Sequence, residues 1–203
     1  MKSELRVPEL ERSGRYLGLP FDWGASKRQV FGWILNRINI KLEGWKEQLI
    51  SKAGKETLLK LVVQAIPQYA MSVFKIPVSI CKAIEKKIAN LWWKNSDSRA
   101  GLHWKHWEIM KMRKDRGGMG FKDLITVNKA LLGKQAWQMI KNPNALWSKL
   151  LKGLYFNRTD LLHAETSSNP SWGWKSLLIR REAIAESSRW SIGSGESVQI
   201  KTD

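Results

Sequence analysis

One stretch narrows the choice of fold more than any other: residues 51–77, SKAGKETLLKLVVQAIPQYAMSVFKIP. From Leu58 onward its apolar residues recur at helical spacing. Leu58, Leu61, Val62, Ala65, Ile66, Tyr69 and Val73 make a stripe, and Leu59, Val63 and Ala70 widen it. A helix apolar over so much of its girth is expected to be buried on several sides. Ser51 suits the cap and Pro77 the stop. Pro67 lacks a backbone N–H, so the helix should bend or divide near Ile66. The cationic residues Lys52, Lys55 and Lys60 sit at its start, where a solvated end and an end facing a phosphate backbone both fit.

Around this element the sequence predicts further helices. Ser26 can cap a helix from Lys27 to about Leu42, with Val30, Ile34, Ile38 and Leu42 inward and Lys27, Arg28, Arg37 and Lys41 on the solvent or ligand side. A short piece from Gly44 should lead into Ser51. Ile80, Ile84, Ile88 and Leu91 stripe a helix over 79–93, whose polar side is Lys82, Lys86, Lys87 and Lys94, relieved only by Glu85. A helix over 122–141 should bury Leu124, Val127, Leu131, Gln135 and Ile140, with Trp137 beside them. One over 144–155 should turn Leu146, Trp147, Leu150, Leu151 and Leu154 inward. A last helix runs over 171–187. RYLGLPFDW at 15–23 reads as extended and in need of a partner strand, and Gly193 and Gly195 suggest a terminal hairpin. The fold class is therefore mainly α, a helical bundle with a short N-terminal extended segment and a C-terminal β-hairpin. Its parts are an arm over 1–22, a helical domain over 23–156, and a loop, helix and hairpin over 157–203.

The formal net charge is +17 over 203 residues, and residues 51–150 carry most of it. A polyanion is the expected partner, because neutralising phosphates releases condensed counterions. A membrane surface is the rival polyanion, but no segment has the amphipathic pattern of a surface anchor, and no apolar run approaches the ~20 residues of a span. The N-terminus lacks an apolar signal core and carries Glu4, Glu9 and Glu11, which argues against a transit peptide. Cys81 is the single cysteine, so neither an intrachain disulfide nor a cysteine-rich zinc site is available. The twelve Trp residues suit either core packing or stacking on bases.

Catalytic sets are not visible. The aspartates Asp22, Asp97, Asp115, Asp123, Asp160 and Asp203 are scattered in turn and cap contexts, and no close pair could hold two metal ions. His103 and His106 lack a third ligand partner, so no metal and no cofactor are expected. Gly117 to Gly120 lacks the Lys-Ser/Thr ending of a phosphate loop and reads as a turn. Between 103 and 116 aromatic and basic residues interleave, which suits a nucleic-acid surface as well as a solvated one.

These segments also carry a resemblance. YLGLP at 16–20, the run 45–77, LWWKNSD at 91–97, GLHWKHW at 101–107 and GGMGFKDLITVNKALLGKQAWQMI at 117–140 resemble the region downstream of the polymerase palm in plant LINE-type (non-LTR) retrotransposon reverse transcriptases. PSWGWKSLL at 170–178 and RWSIGSGESVQI at 189–200 resemble the next segments of the same polyproteins. Open reading frames of plant mitochondrial genomes are similar too. The resemblance implies a thumb-like domain that holds a template–primer duplex. The family's catalytic Tyr-x-Asp-Asp box is not in this sequence, so it implies no polymerase activity for this chain. It implies contact with RNA or an RNA–DNA duplex, on Lys52, Lys55, Lys105, Lys111, Arg113, Lys114 and Arg116, with a reverse transcriptase palm as a further partner. Nucleus and mitochondrion are the compartments it suggests. A vestigial or protein-interaction helical domain is the competing expectation.

Overall fold

The computed structural model describes residues 15–16, 19–20, 26–46, 50–94, 101–157, 159–164 and 170–188. Two compact units divide the chain, Met1–Ala130 and Leu131–Asp203. The described part is mainly helical, as the periodicity predicts. The short β1 (Arg15–Tyr16) and β2 (Leu19–Pro20) pair with each other antiparallel, so the extended segment finds its partner locally. The expected C-terminal hairpin lies outside the described residues.

In the first unit, α1 (Lys27–Val30) and α2 (Gly32–Lys46) bury Val30, Phe31, Ile34, Ile38 and Leu42, the stripe read from sequence. Helix α2 runs on through Gly44, so no separate piece begins there. It packs on α5 (Val78–Trp93), which buries Ile80, Ile84, Ile88 and Leu91. Ser51 caps α3 (Lys52–Leu58), its hydroxyl accepting from the Gly54 N–H at 3.2 Å.

The central stretch differs from its sequence reading. A π-helical turn, Leu59–Val63, follows α3, and the Gln64 N–H reaches back five residues to the Leu59 carbonyl. Leu59, Val63, Ala70 and Met71 are buried, while Leu61, Ala65, Tyr69 and Val73 face solvent. Pro67 divides the helix as expected, and the chain resumes as α4 (Gln68–Val73).

Two buried amides meet backbone groups that lie outside the helical ladders. Asn128 donates to the Met71 and Phe74 carbonyls at 2.7 and 2.9 Å and accepts from the Ile76 N–H at 2.9 Å. Gln64 pairs with the peptide groups of Lys122 in both directions, each at 3.3 Å. Asn128 lies on α7 (Leu124–Lys141), whose buried positions are Leu124, Asn128, Leu132, Ala136 and Met139. The expected α7 stripe is thus corrected: Ile140 and Trp137 are exposed.

Glu85, expected on the polar side of α5, is also corrected. It is buried, and its carboxylate accepts from the Leu124 N–H at 3.2 Å and lies 3.7 Å from the Lys111 ammonium. Lys111, on α6 (Trp107–Lys111), also meets Glu108 at 2.8 Å and Asp123 at 3.5 Å. Asp123 in turn accepts from the N–H groups of Ile125 and Thr126 at the start of α7. Between α6 and α7 a 3₁₀ turn, Lys114–Arg116, ends at Gly117 with φ +79°. A Cβ on Gly118 would stand 2.1 Å from the Met112 carbonyl oxygen, so this close return of the backbone requires glycine.

The second unit has its own core of Ala136, Met139, Phe156, Leu161, Ala164, Trp174, Leu177 and Leu178. Trp174 stacks on Tyr155 and Phe156, with centroids 4.8 and 5.2 Å away. Ser171 caps α9 (Trp172–Ser187) through the Trp174 N–H. Helix α8 (Leu146–Tyr155) corrects a further expectation. It turns Leu146, Leu150 and Leu154 outward, at 86%, 61% and 64% exposure, and buries Ser148 instead.

Two predictions follow from this packing. Asn128→Leu strands two carbonyls and one N–H, and should destabilise the protein by about 3 kcal/mol. Urea unfolding checks this, and a loss under about 1 kcal/mol would contradict it. The second concerns acid. Hydrogen bonds from Lys60 and Lys114 hold the Glu56 carboxyl below its ordinary range. Burial raises that of Asp123, but the Thr126 N–H, Lys111 and the Ile125 N–H outweigh it, and the net shift is downward. The stability such groups contribute is present above their unfolded pKa values, 4.5 and 3.8, and is lost as pH falls through the lowered folded values. Burial of Glu85 raises its pKa and acts in the opposite sense, favouring the folded state at low pH. Glu56→Gln should therefore lower the melting temperature by about 2–4 °C near pH 7, for a pair worth about 1 kcal/mol, and hardly at all near pH 3. Equal drops at both pH values would contradict this.

Candidate nucleic-acid interface

The seven basic residues singled out in the sequence meet different fates. Lys52 and Lys55 stand on α3, which packs against α5. The last carbonyls of a helix have no intrahelical partner, and here the two ammonium groups supply one. Lys52 donates to the Trp92 carbonyl at 2.8 Å and Lys55 to the Lys94 carbonyl at 2.7 Å. Lys52 also lies 5.4 and 5.8 Å from the ring centroids of Trp92 and Trp93. Burial, then the like charges of Lys52 and Lys94, push the Lys55 pKa below its ordinary value.

Lys111 is 10% exposed and enclosed by Glu85, Glu108 and Asp123. Burial lowers its pKa, but the Glu108 hydrogen bond and the charges of Glu85 and Asp123 outweigh that and raise it. Its charge is committed to folding. Arg113 forks onto Asp115 at 3.0 and 2.8 Å, in a pair open to solvent. Lys114 reaches Glu56 at 3.0 Å, beside Lys60 at 2.6 Å, which ties the 3₁₀ turn to α3. Lys105 and Arg116 are exposed and make no ion pair among the described residues.

The structure therefore brings together Lys52, Lys55 and Lys94, and sets Lys111 apart among carboxylates. The aromatic residues interleaved with these cations also divide. Trp107 and Trp92 pack edge or tilted against Phe121 at 5.0 and 5.5 Å, whereas Trp104 is 76% exposed next to Lys105. His103 lies against Trp93, and no group of three metal-binding side chains occurs among the described residues. Sequence reasoning placed Lys87 and Lys94 only on a polar helix side. Yet they line a cleft of about 170 Å³ between α2 and α5, with Asn39, Leu42, Glu43, Asn90 and Leu91. No helix among the described residues is long and apolar enough to cross a membrane. Cys81 is buried, and burial, with Glu85 and Asp123 nearby, pushes its thiol up to about 12, which removes it from chemistry near neutral pH.

No protein-family model and no solved structure matches the chain. It is similar to two proteins of Arabidopsis thaliana. One is "Putative ribonuclease H protein At1g65750", 27% identical over 179 residues; the match takes in 87% of this chain but spans only 29% of that protein's length. The other is "Uncharacterized mitochondrial protein AtMg00310", 32% identical over 140 residues, which are 68% of this chain and 91% of that protein. At that identity and that coverage of the relative, the chain belongs to the family of the Arabidopsis mitochondrial protein AtMg00310.

Proposed function

We propose that this chain grips RNA or an RNA–DNA duplex by charge, as the thumb-like element of a plant LINE-type reverse transcriptase lineage, and performs no chemistry of its own. The observation that carries the reading is electrostatic. The net charge is +17, and after the internal pairs of Lys111, Arg113 and Lys114 are set aside, exposed cations with no carboxylate partner among the described residues remain on α3, α5 and the 101–116 segment. The similarity to a protein named as a ribonuclease H protein, which the chain matches over part of its length, supports descent from a retroelement polyprotein. Exposed Trp104 beside Lys105 supplies a ring that can stack on a base while the lysine meets a phosphate.

One observation favours a second reading, a protein-interaction domain. Leu146, Leu150 and Leu154 form an exposed apolar stripe on α8, and Leu61, Tyr69 and Val73 form another in the first unit. Exposed apolar surface of this kind promotes association.

Fluorescence anisotropy with labelled RNA and RNA–DNA duplex tests the first reading. Six or more phosphate contacts should weaken binding by at least about 10³-fold between roughly 50 and 200 mM salt. Lys105→Gln with Arg116→Gln should cost about three- to tenfold without altering the melting temperature, whereas Lys111 is unsuited to such a test because its loss strands Glu85. Affinity indifferent to salt would reject the reading. Primer extension, and hydrolysis of the RNA strand of a hybrid, should both be absent, and either activity in a pure preparation would reject the claim of no chemistry. Light scattering tests the second reading: association that Leu150→Lys abolishes would support it, and a monomer at all concentrations would sink it.

A further inference from the structure

The cleft between α2 and α5 is lined by lysines that form no ion pair among the described residues. Lys87 and Lys94 line its α5 wall together with Asn90, and Asn39 and Glu43 stand on its α2 wall. At the same end, Lys52 and Lys55 are held on the Trp92 and Lys94 carbonyls. None of these four lysines forms an ion pair among the described residues. Lys87, Lys94 and Lys55 are half-buried. With Glu43 the one carboxylate residue among those that line the cleft, half-buried lysines so placed gain from an added anion.

The geometry adds preorganisation. An ammonium group has three protons. Lys52 and Lys55 each donate one to a carbonyl at the end of α5, which helps fix the group's position. The side-chain entropy lost on binding is thereby lost already on folding. Asn39 and Asn90 offer amide N–H groups to the remaining oxygens of a tetrahedral anion. The volume of about 170 Å³ accommodates a phosphate group with its ester oxygens.

We propose that the α2–α5 cleft is the principal phosphodiester site of this chain, seating a nucleic-acid backbone phosphate between Lys87 and Lys94, with Asn90 as a hydrogen-bond donor and Glu43 as an opposing charge, and with Lys52 and Lys55 adding positive charge from the same end of α5. The proposal rests on the nucleic-acid reading above and locates it, away from the aromatic and basic segment at 101–116. The downward shift of Lys55, caused by burial and then by Lys52 and Lys94, accords with a site that gains from an anion.

Anisotropy titrations of the full chain with a labelled RNA–DNA duplex over a salt series test it. Lys87→Gln with Lys94→Gln should weaken binding at least tenfold near 0.1 M salt. The slope of log affinity against log salt should fall by about 1.4–1.8, at 0.7–0.9 per phosphate contact. Lys87→Arg with Lys94→Arg should retain binding, and Glu43→Gln should strengthen it about two- to threefold. Lys129→Gln with Lys134→Gln removes the same charge from the exposed side of α7 and should cost less than threefold. Binding by the Lys87/Lys94 Gln variant equal to that of the Lys129/Lys134 variant overturns the site while leaving nucleic-acid binding intact. A wild-type chain that binds no duplex at low salt, or binds only anionic phosphatidylserine vesicles, overturns both. Should the Gln variant melt early, the gain on Glu43→Gln decides, since a purely structural role for the cleft would not tighten binding.

Discussion

Asn128 holds the first unit's architecture at its weakest point. Proline cannot continue a helix, and Pro67 stands in the middle of the most apolar helix of the chain. After the break α4 runs for only six residues, and its C-terminal end, ahead of Pro77, leaves carbonyls without helical partners. In water that matters little, but Met71 and Phe74 are buried, where an unpaired carbonyl costs about 1–3 kcal/mol. One carboxamide, 4% exposed, answers both carbonyls and the Ile76 N–H beyond them. Because Asn128 is carried on α7, this repair also fixes where that helix begins. Glu85 fixes the same point from α5, by accepting the Leu124 N–H. The end of α4, the position of α7 and the position of α5 are thus tied together.

How much of this could be read in advance depended on how simple the periodicity was. The stripes Val30–Ile34–Ile38–Leu42 and Ile80–Ile84–Ile88–Leu91 are purely apolar at constant spacing, and their burial was legible. The stripe through Leu61, Tyr69 and Val73 looked as regular but faces outward, because this stretch is apolar on both sides and the side through Leu59, Val63 and Ala70, at the same helical spacing, is the one that is covered. On α7 the buried line passes through Asn128, which a hydrophobicity pattern counts as polar. On α8 the pattern correctly marks an apolar side at Leu146, Leu150 and Leu154, but periodicity says only that such a side exists, not that anything covers it.

The candidate site was legible only as a sum. Counting charges treats every lysine alike, whereas the fold sorts them by their neighbours. Lys111 looked like the centre of a basic segment, yet it is the counter-ion of Glu85, Glu108 and Asp123, which come from α5, α6 and the start of α7. Sequence distance hides such partners, since Glu85 lies far from Lys111 along the chain. The reverse holds for Lys55 and Lys94, which are 39 residues apart yet share one hydrogen bond.

Under the reading proposed above, that sorting is what would set a binding surface apart from a solvated one. A solvated basic face keeps its ammonium groups apart and mobile, and each is screened within about 8–10 Å by salt. At the end of α5 the arrangement is the opposite. The helix terminus presents the equivalent of about half a negative charge, enough to draw in Lys52 and Lys55 but not to balance them together with Lys94. The carbonyls that hold the ammonium groups therefore leave a net positive site, fixed in place by the same bonds that close the helix. A surface evolved only for solubility gains nothing from fixing like charges side by side, because mobile charges would lower the repulsion. Fixing them is useful when a partner carries regularly spaced negative charge, and a phosphodiester backbone is such a partner.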